Sequence, residues 1–181
     1  MFTNNWFEIT AKANFEKYVK TLDLGDSLEI GCYEGQASIW LMENSNTNLT
    51  VIDTFEGSKE HDSQFETTLY TRFMDNIKKY KDRIHIKVGT SQKELRETPI
   101  ASQYDFIYVD GSHEAKDVLE DAVLAFPLLR KDGIMIFDDY TWGVGLDYYD
   151  RPSTGIDAFL NVYGNQLDIL EKNSQVIIKK K

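Results

Sequence analysis

Three aspartates stand directly after two strand-like segments of the sequence. Asp110 follows the apolar run that ends at Val109, and Asp138 and Asp139 follow the run that ends at Phe137. If the two strands are neighbours in a parallel sheet, their carboxyl ends meet and the three carboxylates share a small volume. Mutual repulsion would then favour a bound cation, and hard oxygen ligands indicate Mg²⁺, or Mn²⁺ or Ca²⁺, over zinc or copper. The alternative is that Asp110 caps the next helix while the other two aspartates are only solvated.

His113 lies three residues beyond Asp110, near the start of a predicted helix. Histidine is the side chain that most readily exchanges a proton near neutral pH. Beside a cation, it would accept the proton of an acceptor hydroxyl, so we predict His113 and Asp110 as catalytic residues. An ordinary surface or capping histidine is the alternative.

A glycine-containing turn follows the first predicted strand. Its segment holds Glu29, Gly31, Tyr33 and Gly35, and glycine lets the backbone approach a ligand where a Cβ atom would clash. Ligands of doubly wound sheets bind beyond the carboxyl ends of the strands, so we predict that these four residues contact a cofactor. Asp110, at another strand end, is counted among the predicted cofactor contacts as well. A tight turn without a ligand is the alternative.

Two further strand ends carry polar residues suited to a nucleoside. Asp53 ends the second predicted strand, where a carboxylate accepts hydrogen bonds from both ribose hydroxyls, and Thr54 follows it. Ser91, after the third strand, borders the predicted adenine position or caps a helix that begins at Gln92. An acid at the second strand end suits NAD and S-adenosylmethionine equally. Glu34 in the first loop would repel a pyrophosphate, which favours S-adenosylmethionine because it carries a positive sulfonium.

Short apolar runs alternate with segments of helical period along the chain. An amphipathic helix is predicted first, from apolar residues between Trp6 and Leu22. Strands are then predicted at 27–30, 49–52, 84–88, 105–109 and 134–137, with helices at 36–42, 65–80, 92–97 and 115–129. A loop (140–153), a helix (155–163) and two short strands (167–170 and 175–179) complete the prediction.

Strict alternation of strand and helix indicates parallel strands joined by crossover helices. The predicted fold is therefore α/β: a Rossmann-like, doubly wound, mostly parallel sheet of seven strands with an antiparallel C-terminal hairpin. We expect a single domain over 1–181. Its predicted parts are an N-terminal helix (1–25), a cofactor-binding core (26–140) and a closing part (141–181) with an acceptor loop, a helix and the hairpin.

Composition, charge and the first residues favour a cytoplasmic protein without a membrane or nucleic-acid partner. The formal net charge is -10, which repels a nucleic-acid backbone, and no apolar run approaches the ~18 residues of a membrane span. The first residues lack the pattern of a secretory signal, and the single cysteine, Cys32, cannot form an internal disulfide. We therefore expect no nucleic-acid partner and no membrane partner. The sequence leaves the subunit number open, and a homo-oligomer is compatible with it.

These residues resemble those of the metal-dependent class I O-methyltransferases, of the catechol type and, more closely, of the macrolide-sugar type. In both types a Glu-x-Gly-x-x-x-Gly turn binds S-adenosylmethionine, and it is matched here by 29–35. In both, an Asp after the fourth strand and an acidic or amide pair after the fifth hold Mg²⁺, which Asp110, Asp138 and Asp139 match. The base three residues past the metal-binding Asp is lysine in the catechol type and histidine in the sugar type. His113 matches the latter.

The resemblance covers roughly 28–140 and implies a methyl transfer to a hydroxyl of a small acceptor, with S-adenosylmethionine and Mg²⁺ or another divalent cation as cofactors. One departure is that the serine that follows the second glycine in the catechol type is Ala37 here, with Ser38 next to it. In the predicted acceptor loop, Trp142, Tyr148 and Tyr149 either offer stacking surfaces to the acceptor or pack against the last helix. The rival interpretations are an NAD(P)-dependent oxidoreductase on a similar sheet and a non-catalytic S-adenosylmethionine-binding module.

Overall fold

The computed structural model describes residues 2–57, 63–101 and 103–181. The strands of these residues are β1 (Asp26–Ile30), β2 (Asn48–Asp53), β3 (Ile84–Val88), β4 (Tyr104–Val109), β5 (Leu129–Phe137), β6 (Leu167–Lys172) and β7 (Val176–Lys180). They form a 7-stranded sheet in the order β3-β2-β1-β4-β5-β7-β6. The first five strands are parallel, and β7 is antiparallel to both of its neighbours. The predicted doubly wound sheet with its closing hairpin is confirmed.

The helices connect these strands. They are α1 (Trp6–Thr10), α2 (Lys12–Tyr18), α3 (Gln36–Asn44), α4 (Ser63–Ile77), α5 (Ser91–Glu97), α6 (Ala115–Ala125) and α7 (Pro152–Tyr163). Within the described ranges, none of them combines the length and the apolar character that crossing a bilayer requires.

Two of the predicted helix boundaries are wrong. The predicted N-terminal helix is two short helices with Ala11 between them, and this arrangement lets the rings of Phe7 and Phe15 both contact Trp40. The helix predicted at 115–129 ends at Ala125, because Pro127 has no N–H group to continue it. Strand β5 consequently begins at Leu129, five residues earlier than predicted.

Apolar side chains cover both faces of the sheet. On one face, residues of α2, α3 and α4 pack against the central strands, with Phe15 edge-on to the rings of Phe106 and Tyr108. On the other face, residues of α5, α6 and α7 do the same, and Phe159 contacts Phe137. Burial on both faces explains why the central strands are nearly continuous apolar runs.

The strand register aligns the ends of the three central strands. Ile30 pairs with Val109, and Val109 pairs with Phe137, so β1, β4 and β5 end side by side. The loops that follow them are therefore neighbours, with Asp110 donating its N–H to the carbonyl of Ile30 and Asp138 to that of Val109. This alignment brings the predicted cofactor loop next to the predicted cation site.

Candidate functional site

The loop after β1 is held close to the end of β4. Gly31 and Gly35 have positive φ angles of 80° and 86°, and Tyr33 between them has φ 47°. A Cβ atom on Gly31 would lie 2.1 Å from the carbonyl oxygen of Asp110, which no side chain permits. At Gly35 a Cβ atom would lie 3.1 Å from the ring of Phe73. The two glycines thus allow a close turn over the strand ends, as the sequence predicts.

Asp53 organises this loop through its carboxylate. One oxygen accepts the N–H groups of Cys32, at 2.8 Å, and of Tyr33, at 3.0 Å. The other accepts the N–H of Phe55 at 2.7 Å, while the hydroxyl of the neighbouring Thr54 accepts the N–H of Glu56 at 3.2 Å. Each carboxylate oxygen has a second lone pair. Hydrogen bonding to a ribose therefore stays a prediction for Asp53, beside a role in shaping the loop that the sequence did not reveal.

Glu29 lies beneath the loop, where it is 1% exposed. Its carboxyl accepts a hydrogen bond from the hydroxyl of Ser38, which is fully buried. Ser38, the residue next to Ala37, therefore hydrogen bonds to Glu29. Burial raises the pKa of Glu29 from 4.5 to about 8, with the charge of Asp53 adding to the rise and the Ser38 bond opposing it. Glu29 is therefore neutral at pH 7 in the folded protein. Its predicted contact with the cofactor is not tested by this arrangement.

The proton on Glu29 makes stability depend on pH. The folded state keeps a proton that the unfolded state releases above its lower pKa, so the free energy of unfolding falls as pH rises from about 4.5 to 8. Glu29→Gln copies the neutral acid and removes this slope. We expect the wild type to lose on the order of 4 kcal/mol relative to this variant between pH 4.5 and 8, measured by urea unfolding. Glu97→Gln, at an exposed position, is the control and should follow the wild type; parallel curves for all three proteins would contradict the expectation.

Glu34 does not place a negative charge in the cofactor cleft. Its side chain is buried, pairs with Arg72 at 3.0 Å, and accepts hydrogen bonds from the N–H and the hydroxyl of Thr3. The electrostatic argument against a pyrophosphate was therefore wrong, because the charge is compensated by residues from α4 and from the N-terminal segment. Neither partner was foreseeable from the neighbourhood of Glu34 in the sequence.

Ser91 is the first residue of α5, so its predicted role as the N-cap is wrong by one position: Thr90 occupies the cap. The hydroxyl of Ser91 instead lies near the carboxyl of Asp121 on α6. Burial raises the pKa of Asp121 to about 7, and the nearby hydroxyl of Ser91 lowers it against this rise. Ser91 is thus held at the edge of the cleft, and its predicted contact with adenine stays a prediction.

The acidic residues after β4 and β5 converge, as predicted, and His113 lies with them. A ligand atom of Asp110, one of His113 and one of Asp139 lie within 4.8 Å of one another. Nε2 of His113 is 2.9 Å from Oδ2 of Asp139. Asp138 is 9% exposed, and both of its carboxylate oxygens accept hydrogen bonds: Oδ2 from the hydroxyl of Tyr108, and Oδ1 from the N–H of Asp139 at 2.7 Å. The sequence predicted the meeting of the strand ends but not these side-chain directions.

Burial and mutual repulsion act on these carboxyls together. Burial raises the pKa of Asp110 well above its usual value, and the charges of Asp138 and Asp139 raise it further. Burial also raises the pKa of Asp138 to about 6, with the charge of Asp139 second. A positive ion among these groups would remove the repulsion. Two carboxylates and one imidazole nitrogen at this spacing are chemically suited to a divalent cation.

Trp142 covers one side of His113. Their ring centroids are 4.4 Å apart and the rings are tilted by 49°. Tyr148 and Tyr149 in the same loop are 69% and 55% exposed, and their rings contact each other. Of the three aromatic residues of the predicted acceptor loop, Trp142 is thus the one whose ring touches a predicted catalytic residue.

The chain matches a known protein family. A family described as a methyltransferase domain matches residues 28–140, which is the segment that holds the loop after β1 and the acidic cluster. The chain belongs to this methyltransferase family. The prediction of a class I S-adenosylmethionine-dependent methyltransferase is confirmed. No curated protein matches the chain.

Solved structures of methyltransferases share the fold. An O-methyltransferase from Bacillus cereus in complex with SAH has a TM-score of 0.72 and 17% identity, over 96% of this chain and 82% of that one. An SAH-bound methyltransferase from Podospora anserina has a TM-score of 0.61 and 19% identity, over 87% and 72%. The N-methyltransferase NodS from Bradyrhizobium japonicum has a TM-score of 0.63 and 16% identity, over 99% of both chains. At these identities the likeness shows the fold of this methyltransferase and not its acceptor.

Sequence reasoning missed one residue of the methyltransferase's cluster, Tyr108. Its hydroxyl is the polar group of an otherwise apolar run, Phe106 to Val109, two positions before Asp110. A buried hydroxyl needs a partner, and the strand end next to it supplies carboxylates. That signal was present in the sequence.

Proposed function

We propose that this methyltransferase transfers a methyl group from S-adenosylmethionine to a hydroxyl oxygen of a small molecule, a sugar or another diol, with a divalent cation and a histidine base. The observation that carries the proposal is the cluster of Asp110, His113 and Asp139 beside the loop after β1. Such a cluster joins proton transfer and cation binding at one place next to the predicted methyl donor.

The cofactor would lie along the ends of β1, β2 and β3. The turn passes close over the strand ends through Gly31 and Gly35, with Tyr33 between the two glycines. We assign the cofactor to this turn together with Glu29, Asp53, Thr54, Ser91 and Asp110. S-adenosylmethionine supplies the methyl group as an electrophile on a positively charged sulfur.

The cation would be held by the carboxylates of Asp110, Asp138 and Asp139. A divalent cation, Mg²⁺ in our proposal, lowers the pKa of a nearby hydroxyl and stabilises negative charge on its oxygen. Carboxylates are the ligands that Mg²⁺ prefers in proteins.

His113 would take the proton of the acceptor hydroxyl. An aliphatic hydroxyl is too weak an acid to lose its proton to water at pH 7, so a positioned base is needed. The carboxylate of Asp139, 2.9 Å from Nε2, would stabilise the imidazolium ion that forms, and Trp142 restricts the ring. The acceptor would enter from the side of the loop that carries Trp142.

Oxygen is proposed as the acceptor atom because an acidic, cation-binding site has a use in activating a hydroxyl, whereas a neutral amine is already nucleophilic. The fold alone does not decide, since it is shared with an O-methyltransferase and with an N-methyltransferase. The absence of a nucleic-acid partner is proposed on the net charge of -10. A cytoplasmic location is proposed on the single cysteine, Cys32, which agrees with a reducing compartment.

The test is the formation of S-adenosylhomocysteine from S-adenosylmethionine with a panel of sugars, catechols and other diols, and with amines for comparison. We expect turnover with at least one diol in the presence of Mg²⁺ and a loss of about a hundredfold or more with EDTA, restored by added Mg²⁺. Turnover of amines alone would contradict the choice of oxygen, and turnover insensitive to EDTA would contradict the cation. Titration with S-adenosylhomocysteine and NADH separates the methyltransferase from an oxidoreductase.

A further inference from the structure

Tyr108 places a hydroxyl underneath the acidic cluster. The side chain is 1% exposed and lies on the face of the sheet that α2 covers, with its ring edge-on to Phe15 at 4.9 Å. The surroundings of the ring are apolar. Removal of a hydroxyl from water into such surroundings is costly unless it forms hydrogen bonds, so its partners matter.

Its hydrogen-bond partner is one of the predicted cation ligands. The hydroxyl of Tyr108 donates a hydrogen bond to Oδ2 of Asp138. Asp110 lies near the same hydroxyl: after the larger effect of burial, its charge raises the pKa of Tyr108. One phenol thus binds the carboxylate that follows β5 and lies near the carboxylate that follows β4, at the point where the strands end.

Asp138 is fixed from more than one direction. Its other oxygen accepts the N–H of Asp139 at 2.7 Å. The amide of Gln175 lies behind it, near enough to lower its pKa although no bond of good geometry forms, and Gln175 in turn accepts a hydrogen bond from Asn14 at 2.8 Å. Each carboxylate oxygen has two lone pairs, so Asp138 held in this way still has lone pairs for a cation.

We propose that Tyr108 is a positioning residue of the cation site, whose hydroxyl holds the carboxylate of Asp138 in the orientation that a divalent cation shared with Asp110 requires. The inference rests on the cation of the proposed function. Without the hydroxyl, the buried carboxylate of Asp138 would lose a donor while the charge of Asp110 still repels it, and it would turn away from Asp110. Removal of a residue that hydrogen bonds to a metal ligand commonly weakens metal binding by about 10- to 100-fold.

The test compares Tyr108→Phe with the wild type and with Tyr104→Phe. Phenylalanine keeps the ring that packs against Phe15 and removes only the hydroxyl. Tyr104 is on the same strand and is 7% exposed, and it lies at the opposite end of β4 from Asp110, so its variant also loses the hydroxyl of a buried tyrosine but away from the carboxylates. The readout is the affinity for Mn²⁺, measured by electron paramagnetic resonance on the purified chain, and the affinity for S-adenosylhomocysteine without cation.

We expect Tyr108→Phe to bind Mn²⁺ at least about tenfold more weakly, Tyr104→Phe to bind it within twofold of the wild type, and all three proteins to bind S-adenosylhomocysteine within twofold. A merely structural role of Tyr108 would change the melting temperature without this selective loss of cation affinity. Equal Mn²⁺ affinity of Tyr108→Phe and wild type would overturn the inference and leave the proposed function standing. A wild type that binds no Mn²⁺ would overturn the cation of the proposed function, and the inference with it.

Discussion

Replacement of His113 with alanine is expected to lower kcat about a thousandfold with a diol that the wild type methylates, and to leave the affinity for S-adenosylhomocysteine within twofold. The reason is that a positioned base contributes about 10²- to 10⁴-fold to a proton transfer. His113 contacts Asp139 and Trp142, which both lie outside the predicted cofactor loop after β1. The measurement is the initial rate of S-adenosylhomocysteine formation at saturating Mg²⁺, together with calorimetric titration of the product cofactor.

His85→Ala is the matched control, because His85 is exposed on β3, the edge strand at the far side of the sheet from β5. It should keep the wild-type rate. A His113→Ala enzyme with a normal rate would remove His113 from the mechanism. Because the ligand atoms of Asp110, His113 and Asp139 lie within 4.8 Å of one another, His113 is also placed to act as a cation ligand. The Mn²⁺ affinity of His113→Ala separates the two: it is retained if His113 is the base and is lost by tenfold or more if His113 is a ligand.

The sequence predicted the sheet and the meeting of the strand ends because both follow from the order of strands and helices along the chain. Alternation of strands and helices leaves few topologies, and parallel neighbours end at the same edge. Asp110 and Asp138 therefore had to be close once β4 and β5 were neighbours, whatever their side chains do. The position of the loop with Gly31 follows from the same argument, because β1 lies beside β4.

The directions of individual side chains were not predictable in this way. Glu34 pairs with Arg72, 38 residues away, and Asp138 turns to Tyr108, 30 residues away. Such contacts depend on rotamers and on which buried group lacks a partner, and no short-range pattern in the sequence encodes them. A buried carboxylate takes whatever donor the packing brings to it, since leaving it unpaired costs more than bending a loop. This is why His113 lies with Asp110 and Asp139, while Asp138 accepts a hydrogen bond from Tyr108.

Gly31 is the glycine at which substitution by alanine should lower the free energy of unfolding most. Gly31→Ala would put a Cβ atom 2.1 Å from the carbonyl oxygen and 2.6 Å from the carbonyl carbon of Asp110, at a φ angle of 80° that side chains rarely adopt. Backbone atoms cannot rotate aside as a flexible side chain does, so the ends of β1 and β4 would have to separate. We expect the free energy of unfolding, from urea titration, to fall by more than about 3 kcal/mol.

Two other glycines separate the causes of this loss. Gly145→Ala also meets a positive φ, of 110°, but its Cβ atom would have no neighbour within 4 Å, so it should cost only about 1 to 2 kcal/mol. Gly164→Ala has neither a positive φ nor a close neighbour and should be neutral or slightly stabilising. If Gly31→Ala cost no more than Gly145→Ala, the close approach of the first loop to Asp110 would be contradicted. Because that approach sets the distance between the cofactor loop and the acidic cluster, any Gly31→Ala protein that still folds should also lose affinity for S-adenosylhomocysteine, whereas the variants at 145 and 164 should keep it.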